Sequence, residues 1–200
     1  MRKLVGVLLI AVCVGGGIWM SLERMKQPSG DSDKQVIQNK ASKSVEAKID
    51  EIDKKIEGSY PEKVKEIVEI HNELMAIAYK YPMNEEETEK YVKTIRKLYS
   101  LEFLEINPEE MQIEALNKER ESMSEESMEL IASNIDEVYI AQDNDGKEVS
   151  AEVNVLHATN QGSLERTYLL VKEEGLWKIN GWENAKPQEN EETKKNEETN

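Results

Sequence analysis

The feature that most constrains this chain is an uncharged apolar segment at its start. Met1-Arg2-Lys3 precede nineteen residues, Leu4 to Leu22, that carry no charge. A helix of this length spans about 28 Å, close to the roughly 30 Å hydrocarbon thickness of a bilayer. The segment therefore predicts a transmembrane anchor that contacts the lipid bilayer through residues 4–22. The large side chains expected in the lipid include Leu4, Leu8, Ile10, Ile18 and Trp19.

Two alternatives to a permanent anchor stay open. A cleavable signal peptide needs small residues near the cut, which the glycines at 15–17 supply, and cleavage there would release a secreted domain. The uncleaved anchor is favoured because the apolar run continues through residues 18–20, beyond the usual core of about 7 to 15 residues. Lipidation of Cys13 is disfavoured because the branched Val12 precedes it, so Cys13 is interpreted as a small apolar residue in the membrane.

Charges near the two ends of the segment indicate its orientation. Arg2 and Lys3 lie on one side, and Arg24 and Lys26 lie on the other. Anchors at the start of a chain with a basic tip usually keep that tip in the cytoplasm. A domain without cysteine also suits an oxidising exterior. We therefore expect a single-pass protein of the cell membrane, with a cytoplasmic N-terminus and residues 27–200 outside.

Composition excludes several classes of protein. The formal net charge is −15 at pH 7, whereas a protein that binds nucleic acid through its phosphates needs a basic face. The single cysteine excludes an internal disulfide and a thiolate metal cluster, and only two histidines are present. No nucleic-acid partner and no cofactor are therefore expected.

The chain divides into four parts by composition. Residues 1–26 form the cytoplasmic tip and the anchor. Residues 27–43 hold few large apolar side chains and predict a flexible linker. Residues 44–186 contain enough apolar residues for one core and predict an α+β domain. Residues 187–200 are almost wholly Glu, Asn, Lys, Thr and Gln and predict a disordered polar tail.

Apolar residues recur at helical spacing in the first half of the predicted domain. Val45, Ile49, Ile52 and Ile56 form a stripe that ends at Gly58, which predicts a short amphipathic helix. Two heptads are too few for a coiled coil, so docking onto the domain's own sheet is favoured over dimerisation beside the membrane. Further helices are predicted over about 62–79, 85–106 and 108–121.

The periodicity changes in the second half. Four segments rich in branched and aromatic residues are separated by turn-forming groups, which predicts four strands joined as hairpins. Helices followed by an antiparallel meander predict an α+β fold with the helices on one face of the sheet. The predicted strands are Leu130–Ala141, Val149–Thr159, Leu164–Lys172 and Leu176–Glu183.

The residues near the end of the domain carry a resemblance. Residues 175–182, Gly-Leu-Trp-Lys-Ile-Asn-Gly-Trp after a run of helices, resemble the cone-shaped fold with a curved antiparallel sheet named after nuclear transport factor two. Residues 60–61, 85–99 and 107–110 are similar to an uncharacterised family of small bacterial membrane-anchored proteins. The resemblance covers about residues 48–186. It implies a fold without choosing a function, because this superfamily contains small-molecule enzymes as well as assembly modules of secretion and conjugation machines.

His157 is the main catalytic candidate. It lies on the apolar side of its predicted strand, where a cone cavity would be, and histidine titrates near neutral pH. Tyr79 and Tyr91 are the polar groups that would accompany it in a pocket. No acidic residue shares the face of His157 on its strand, so a partly buried structural histidine is the favoured interpretation, as it is for His71 on its helix.

The loop after the first strand matches part of a calcium-binding pattern. Asp143, Asp145, Gly146 and Glu152 match positions 3, 5, 6 and 12 of such a loop. Position 1 would be Ala141, and strands flank the loop where helices are expected. A plain hairpin turn is therefore favoured, and no metal is predicted.

Trp177, Ile179 and Trp182 are predicted to belong to the core near the end of the sheet. Strict alternation along a strand places the two tryptophans on opposite faces. At least one of them is then expected to seal the core, and either could stack on a ligand ring.

These observations favour a binding protein over an enzyme. The linear motifs of serine hydrolases, phosphate-binding loops and zinc proteases are missing. Acidic residues outnumber basic ones between residues 62 and 127, which suits a cationic partner such as a basic envelope protein, although most such charge simply faces solvent. We expect a membrane-anchored extracytoplasmic binding or assembly module. The alternative is a small-molecule pocket enzyme or ligand carrier of the cone superfamily.

Overall fold

The computed structural model describes residues 31–184, with side chains from residue 45 onward. In this part of the chain, five helices precede four strands, as the α+β prediction requires. The helices are α1 (Asp31–Gly58), α2 (Val64–Lys80), α3 (Glu85–Arg96), α4 (Leu101–Ile106) and α5 (Glu109–Glu125). The strands are β1 (Leu130–Gln142), β2 (Glu148–Thr159), β3 (Gly162–Glu173) and β4 (Leu176–Asn184).

None of the helices between residues 31 and 184 combines the length and the apolar character needed to cross a membrane. The predicted anchor at 4–22 and the predicted tail at 187–200 lie outside the described residues and stay predictions. Helix α1 begins at Asp31, so residues interpreted as part of the flexible linker are helical.

Helix α1 packs on other helices. The stripe formed by Val45, Ile49, Ile52 and Ile56 is buried, as predicted. The predicted docking of this helix onto the sheet is wrong, because its main contacts are with α2 and α3. Charges beside the stripe add to the same contact, listed here as ion pairs: Lys90 with Glu46 and Asp50, and Lys97 with Asp53 and Glu57.

Helix α2 lies at the centre of the molecule. It contacts α1, α3 and α5 on one side and β1, β2 and β4 on the other. Both the side of α2 that faces the helices and the side that faces the sheet are therefore covered, which explains why ten of its residues are buried. Among them are the polar His71 and Asn72, which face the sheet.

The segment between α3 and α4 corrects one prediction. A single helix over 85–106 is wrong, because α3 ends at Arg96 and α4 starts anew at Leu101. The residues between them bind the middle of β4: Ile179 N donates to Leu98 O over 2.8 Å, and Ser100 N donates to Ile179 O over 2.9 Å. Ser100 also caps α4, because its side chain accepts a hydrogen bond from Phe103 N. The long-range pairing with β4 thus interrupts the helix.

The sheet is antiparallel with strand order β1-β2-β3-β4. Its helix-facing side carries buried residues at alternate positions, such as Val153 and Val155 on β2 and Tyr168 and Leu170 on β3. The opposite side holds partly and fully exposed residues, so one face is covered and the other is open to solvent.

A bulge near the end of β4 overturns the prediction that the two tryptophans lie on opposite faces. Leu169 pairs with Gly181, whereas the next residue, Leu170, pairs with Ile179, so one residue of β4 is extra. Gly181 has φ +151°, a conformation that side chains oppose. The extra residue turns Trp182 back to the helix-facing side, which it shares with Trp177.

Candidate functional site

His157 lies near the C-terminal end of β2 and is almost completely buried. Its Nδ1 is 2.8 Å from the Oγ of Ser133, its register partner on β1, and its Nε2 has no hydrogen-bond partner among residues 45–184. Burial, and to a smaller extent the charge of Arg166, lower the pKa of the imidazole to about 4. The ring is therefore neutral at pH 7 and a poor general base.

His71 on α2 has a similar environment. Its Nε2 is 3.1 Å from the hydroxyl oxygen of Tyr99, and its Nδ1 has no partner in the described part of the chain. Burial lowers the pKa of this imidazole to about 3, with smaller contributions from Arg166 and His157. Both histidines of the protein are thus held neutral inside the domain.

Aromatic rings connect the two histidines. The Tyr168 ring centroid is 5.0 Å from that of His71 and 6.4 Å from that of His157. Trp182 lies 5.7 Å from His71 and 6.1 Å from Tyr168. These ring contacts fill the space between α2 and the sheet. We call these residues, together with Tyr99, the buried cluster.

Arg166 borders the buried cluster and places a positive charge near both histidines. The guanidinium carbon lies 5.6 Å from the centre of the Trp182 ring, and Nε donates to Asn184 Oδ1 over 2.9 Å. No carboxylate of the described residues forms an ion pair with this guanidinium. Its positive charge acts on both histidines and disfavours their protonation.

Tyr79 and Tyr91 do not join His157. Tyr91 is buried and Tyr79 half-buried, and neither has a hydrogen bond or ring contact with His157 among the described residues. Burial raises the pKa of both hydroxyls above the usual range, and the nearby Glu119 raises it further. The three groups named for a pocket enzyme therefore do not contact one another as a single site.

The residues compared with a calcium loop form a hairpin turn. Asp143 Oδ1 accepts hydrogen bonds of 2.9 Å from the backbone N–H groups of Asp145 and Lys147, and Gly146 has φ +75°. Glu152 lies on β2, opposite Tyr139 of β1. Residues 45–184 contain no group of three or more His, Cys, Asp or Glu arranged to hold a metal ion.

Neither of two surface grooves on the described part of the chain is lined by His157, Tyr79 or Tyr91. One, of about 520 Å³, lies between α3 and α5 and is mainly acidic. The other, of about 480 Å³, lies between α2 and the first half of β1. Both are open to solvent, in contrast to the enclosed pockets typical of small-molecule sites. The acidic groove is lined by Glu85, Glu89, Glu110, Ile113, Glu114, Asn117, Lys118 and Glu121.

The most unusual exposed feature is the far end of the β1–β2 hairpin, which sequence reasoning missed. We call residues 136–149 the hairpin tip, and all of them are exposed. Val138, Ile140 and Val149 lie on the helix-facing side, yet their side chains are 39–45% exposed. Tyr139 lies on the opposite side and is 54% exposed.

Element lengths explain this exposure and were available in the sequence. The 13 residues of β1 extend about 44 Å, whereas the 17 residues of α2 span about 26 Å. The strand therefore continues beyond the helix that covers its face. Strand β1 is also the edge of the sheet, and no described residue pairs with its outer side.

The chain was compared with known proteins. A family model described as a domain of unknown function (DUF6715) matches residues 1–182. No match was found among curated proteins or among solved structures.

Proposed function

The chain belongs to the DUF6715 family, and because this family brings no assigned activity with it, we propose a function from the geometry. We propose a binding or assembly module that is held at the membrane and contacts a protein partner through the hairpin tip.

The observation that carries the proposal is the combination of an open strand edge with exposed apolar side chains. Unpaired backbone N–H and C=O groups along an edge strand accept a further strand. Val138 and Ile140 continue the apolar side of the sheet beyond its helical cover. Exposed apolar residues grouped in this way are typical of interaction surfaces.

The alternative, a pocket enzyme or ligand carrier with a cone-shaped fold, receives less support. It needs an accessible base, whereas His157 is buried and its pKa is lowered to about 4. It also needs a cavity lined by the candidate groups, and neither groove contains them. His157→Gln separates the two functions, because it would abolish activity in an enzyme and leave binding at the hairpin tip intact.

The membrane location is part of the proposal. Residues 4–22 would stay in the bilayer, and the α+β domain would lie outside the cytoplasmic membrane. Fractionation of cells that produce the full chain should recover it in the membrane, with solubilisation only by detergent. Protease added to intact spheroplasts should remove the domain. A full-length chain dissolved without detergent would contradict the anchor.

The binding role is tested by crosslinking the tagged full chain in its native membranes. We expect crosslinked products that decrease with Ile140→Glu, because a carboxylate there opposes burial of this apolar surface. Leu176→Glu is the matched control, since Leu176 is 40% exposed and lies on β4, the edge strand on the other side of the sheet from β1. Equal products from both variants and the unaltered chain would contradict binding at the hairpin tip.

A further inference from the structure

The longest regular run of the β1 edge lies in the hairpin tip. Register shifts between β1 and β2 occur between Ile135 and Glu137 and again between Ala141 and Gln142. Between these two irregularities the pairing is continuous over five residues, 137–141. A bulge disrupts the row of backbone N–H and C=O groups with which a further strand would pair. Residues 137–141 are therefore the part of the edge best suited to pairing. Its central residue is Tyr139.

The opposite edge of the sheet is occupied at its centre. Ile179 of β4 exchanges backbone hydrogen bonds with Leu98 and Ser100, so the intervening Tyr99 forms a parallel bridge with Ile179. An added strand at β4 would have to displace this segment. Strand addition therefore favours the β1 edge.

We propose that the partner at the β1 edge is a second copy of the chain, paired antiparallel about a two-fold axis at Tyr139. This inference rests on the proposed binding at the hairpin tip and names its partner. The axis runs perpendicular to the sheet, so the helices of both copies lie on the same side. Val138 of each copy then faces Ile140 of the other on that side, and Glu137 faces Ala141 on the outer side.

The charges along the run select this register. When the two-fold axis passes through Tyr139, no carboxylate of residues 136–142 lies opposite another carboxylate, because Asp136 faces Gln142. A two-fold at Ile140 would place Glu137 opposite Asp143, and one at Glu137 would place this residue opposite itself. Like charges directly opposite destabilise a strand pair, whereas facing branched apolar residues stabilise it.

A two-fold at Val138 also avoids facing carboxylates but places Ile140 opposite Asp136. Val138 then faces its own copy, so one apolar pair remains on the helix-facing side, whereas the Tyr139 register has two. The Tyr139 register is thus the one that pairs the most apolar residues while carboxylates face neutral residues.

The salt dependence of binding distinguishes a second copy of the chain from a cationic partner. Each chain has a formal net charge of −15, so two copies repel each other at low ionic strength. Added salt screens this repulsion and should increase the dimer fraction, whereas it should weaken binding of a basic partner. Decrease of the dimer with added salt would overturn the proposal.

The register is tested with cysteine pairs in the full chain carrying Cys13→Ser, in nanodiscs under mild oxidation. Tyr139→Cys should give a disulfide-linked dimer, because directly opposite Cβ atoms lie about 4.5–5.5 Å apart. Chains with Glu137→Cys should link to chains with Ala141→Cys and not to themselves, since two copies of residue 137 would lie about 13 Å apart. Leu176→Cys is the control for random collision. Equal crosslinking at all these positions, or none above the control, would overturn the proposal.

The outcome stays separable from the proposed function. Ile140→Glu should weaken the dimer at least roughly tenfold, since the carboxylate enters the interface twice. If the register-specific crosslinks do not form while crosslinks to another protein remain sensitive to Ile140→Glu, the second copy is rejected and the binding role of the hairpin tip stands. Insensitivity of every crosslink to Ile140→Glu would reject both.

Discussion

The buried cluster and the hairpin tip lie on the same face of one sheet and differ in almost every property. Val153 of β2 is completely buried, whereas Val149, four residues away on the same strand and face, is 42% exposed. In the cluster, polar atoms lie beneath helices and both imidazoles are neutral. At the tip, apolar side chains and an open backbone edge face solvent. The difference follows from where the helices end, and it leaves the tip as the region whose apolar side chains are accessible to a partner.

The largest expected difference between the regions is in stability. Tyr168→Ala should lower the free energy of unfolding by about 3–5 kcal/mol, because it removes a fully buried ring from the cluster. Tyr139→Ala at the tip should change it by less than about 0.5 kcal/mol. Urea denaturation of the full chain in detergent, followed by tryptophan fluorescence, measures both. Similar values for the two variants would contradict the division into a packed region and an exposed one.

A second prediction concerns pH. The pKa values of His71 and His157 lie at about 3 and 4 in the folded protein, below the unfolded value of 6.5. The unfolded chain therefore binds more protons between these values, and stability falls as the pH drops below 6.5. At pH 5 each histidine should cost about 2 kcal/mol relative to pH 7.5.

The matched variants isolate this effect from the titration of the carboxylates. His157→Gln should reduce the loss of stability between pH 7.5 and pH 5 by about 2 kcal/mol, and His71→Gln should do the same. Unfolding curves at the two pH values give the numbers. An unchanged pH dependence in both variants would show that the histidines are not held neutral by burial.

The third prediction tests the bulge that completes the cluster. Gly181→Ala should cost about 1–2 kcal/mol, because φ +151° is unfavourable for a residue with a Cβ. Gly58→Ala, at the end of α1 with nothing within 4 Å of the added carbon, is the control and should be neutral within about 0.5 kcal/mol. The same denaturation assay applies, and equal effects would contradict a special role of Gly181.

The smallest expected effect on stability is at the tip, where binding should change instead. Ile140→Glu should alter the free energy of unfolding by less than about 0.5 kcal/mol, since its side chain already faces solvent in the single chain. Denaturation of the chain at a concentration where it is monomeric checks this value. A large loss of stability would indicate that Ile140 belongs to the core and would remove the contrast between the two regions.

Much of the fold could be predicted because its signals are local. The stripe from Val45 to Ile56 and the alternation along β2 specify which faces are buried, and the glycines at 146 and 175 mark turns at which strands end. The break between α3 and α4 could not be predicted, because it depends on backbone hydrogen bonds that Leu98 accepts from Ile179 and Ser100 donates to Ile179, about eighty residues later in the chain.

The candidate site was predicted less well, for a physical reason. Sequence reasoning identified His157 by its type and face, but its neutral state follows from burial and from Arg166, which only the assembled structure brings close. The bulge at Gly181 reversed the expected face of Trp182, because one extra residue shifts every later side chain to the other side. The hairpin tip was missed because exposure depends on how far α2 reaches.

The Leu98–Ser100 segment beside β4 has a consequence for the stoichiometry of the proposed assembly. A sheet with two free edges adds copies at both ends, and such growth leads to filaments. Here one side is already occupied by the chain itself, so each molecule offers a single place for a neighbour. The proposed pairing would therefore stop at two copies, and the dimer would leave no free central edge for further growth.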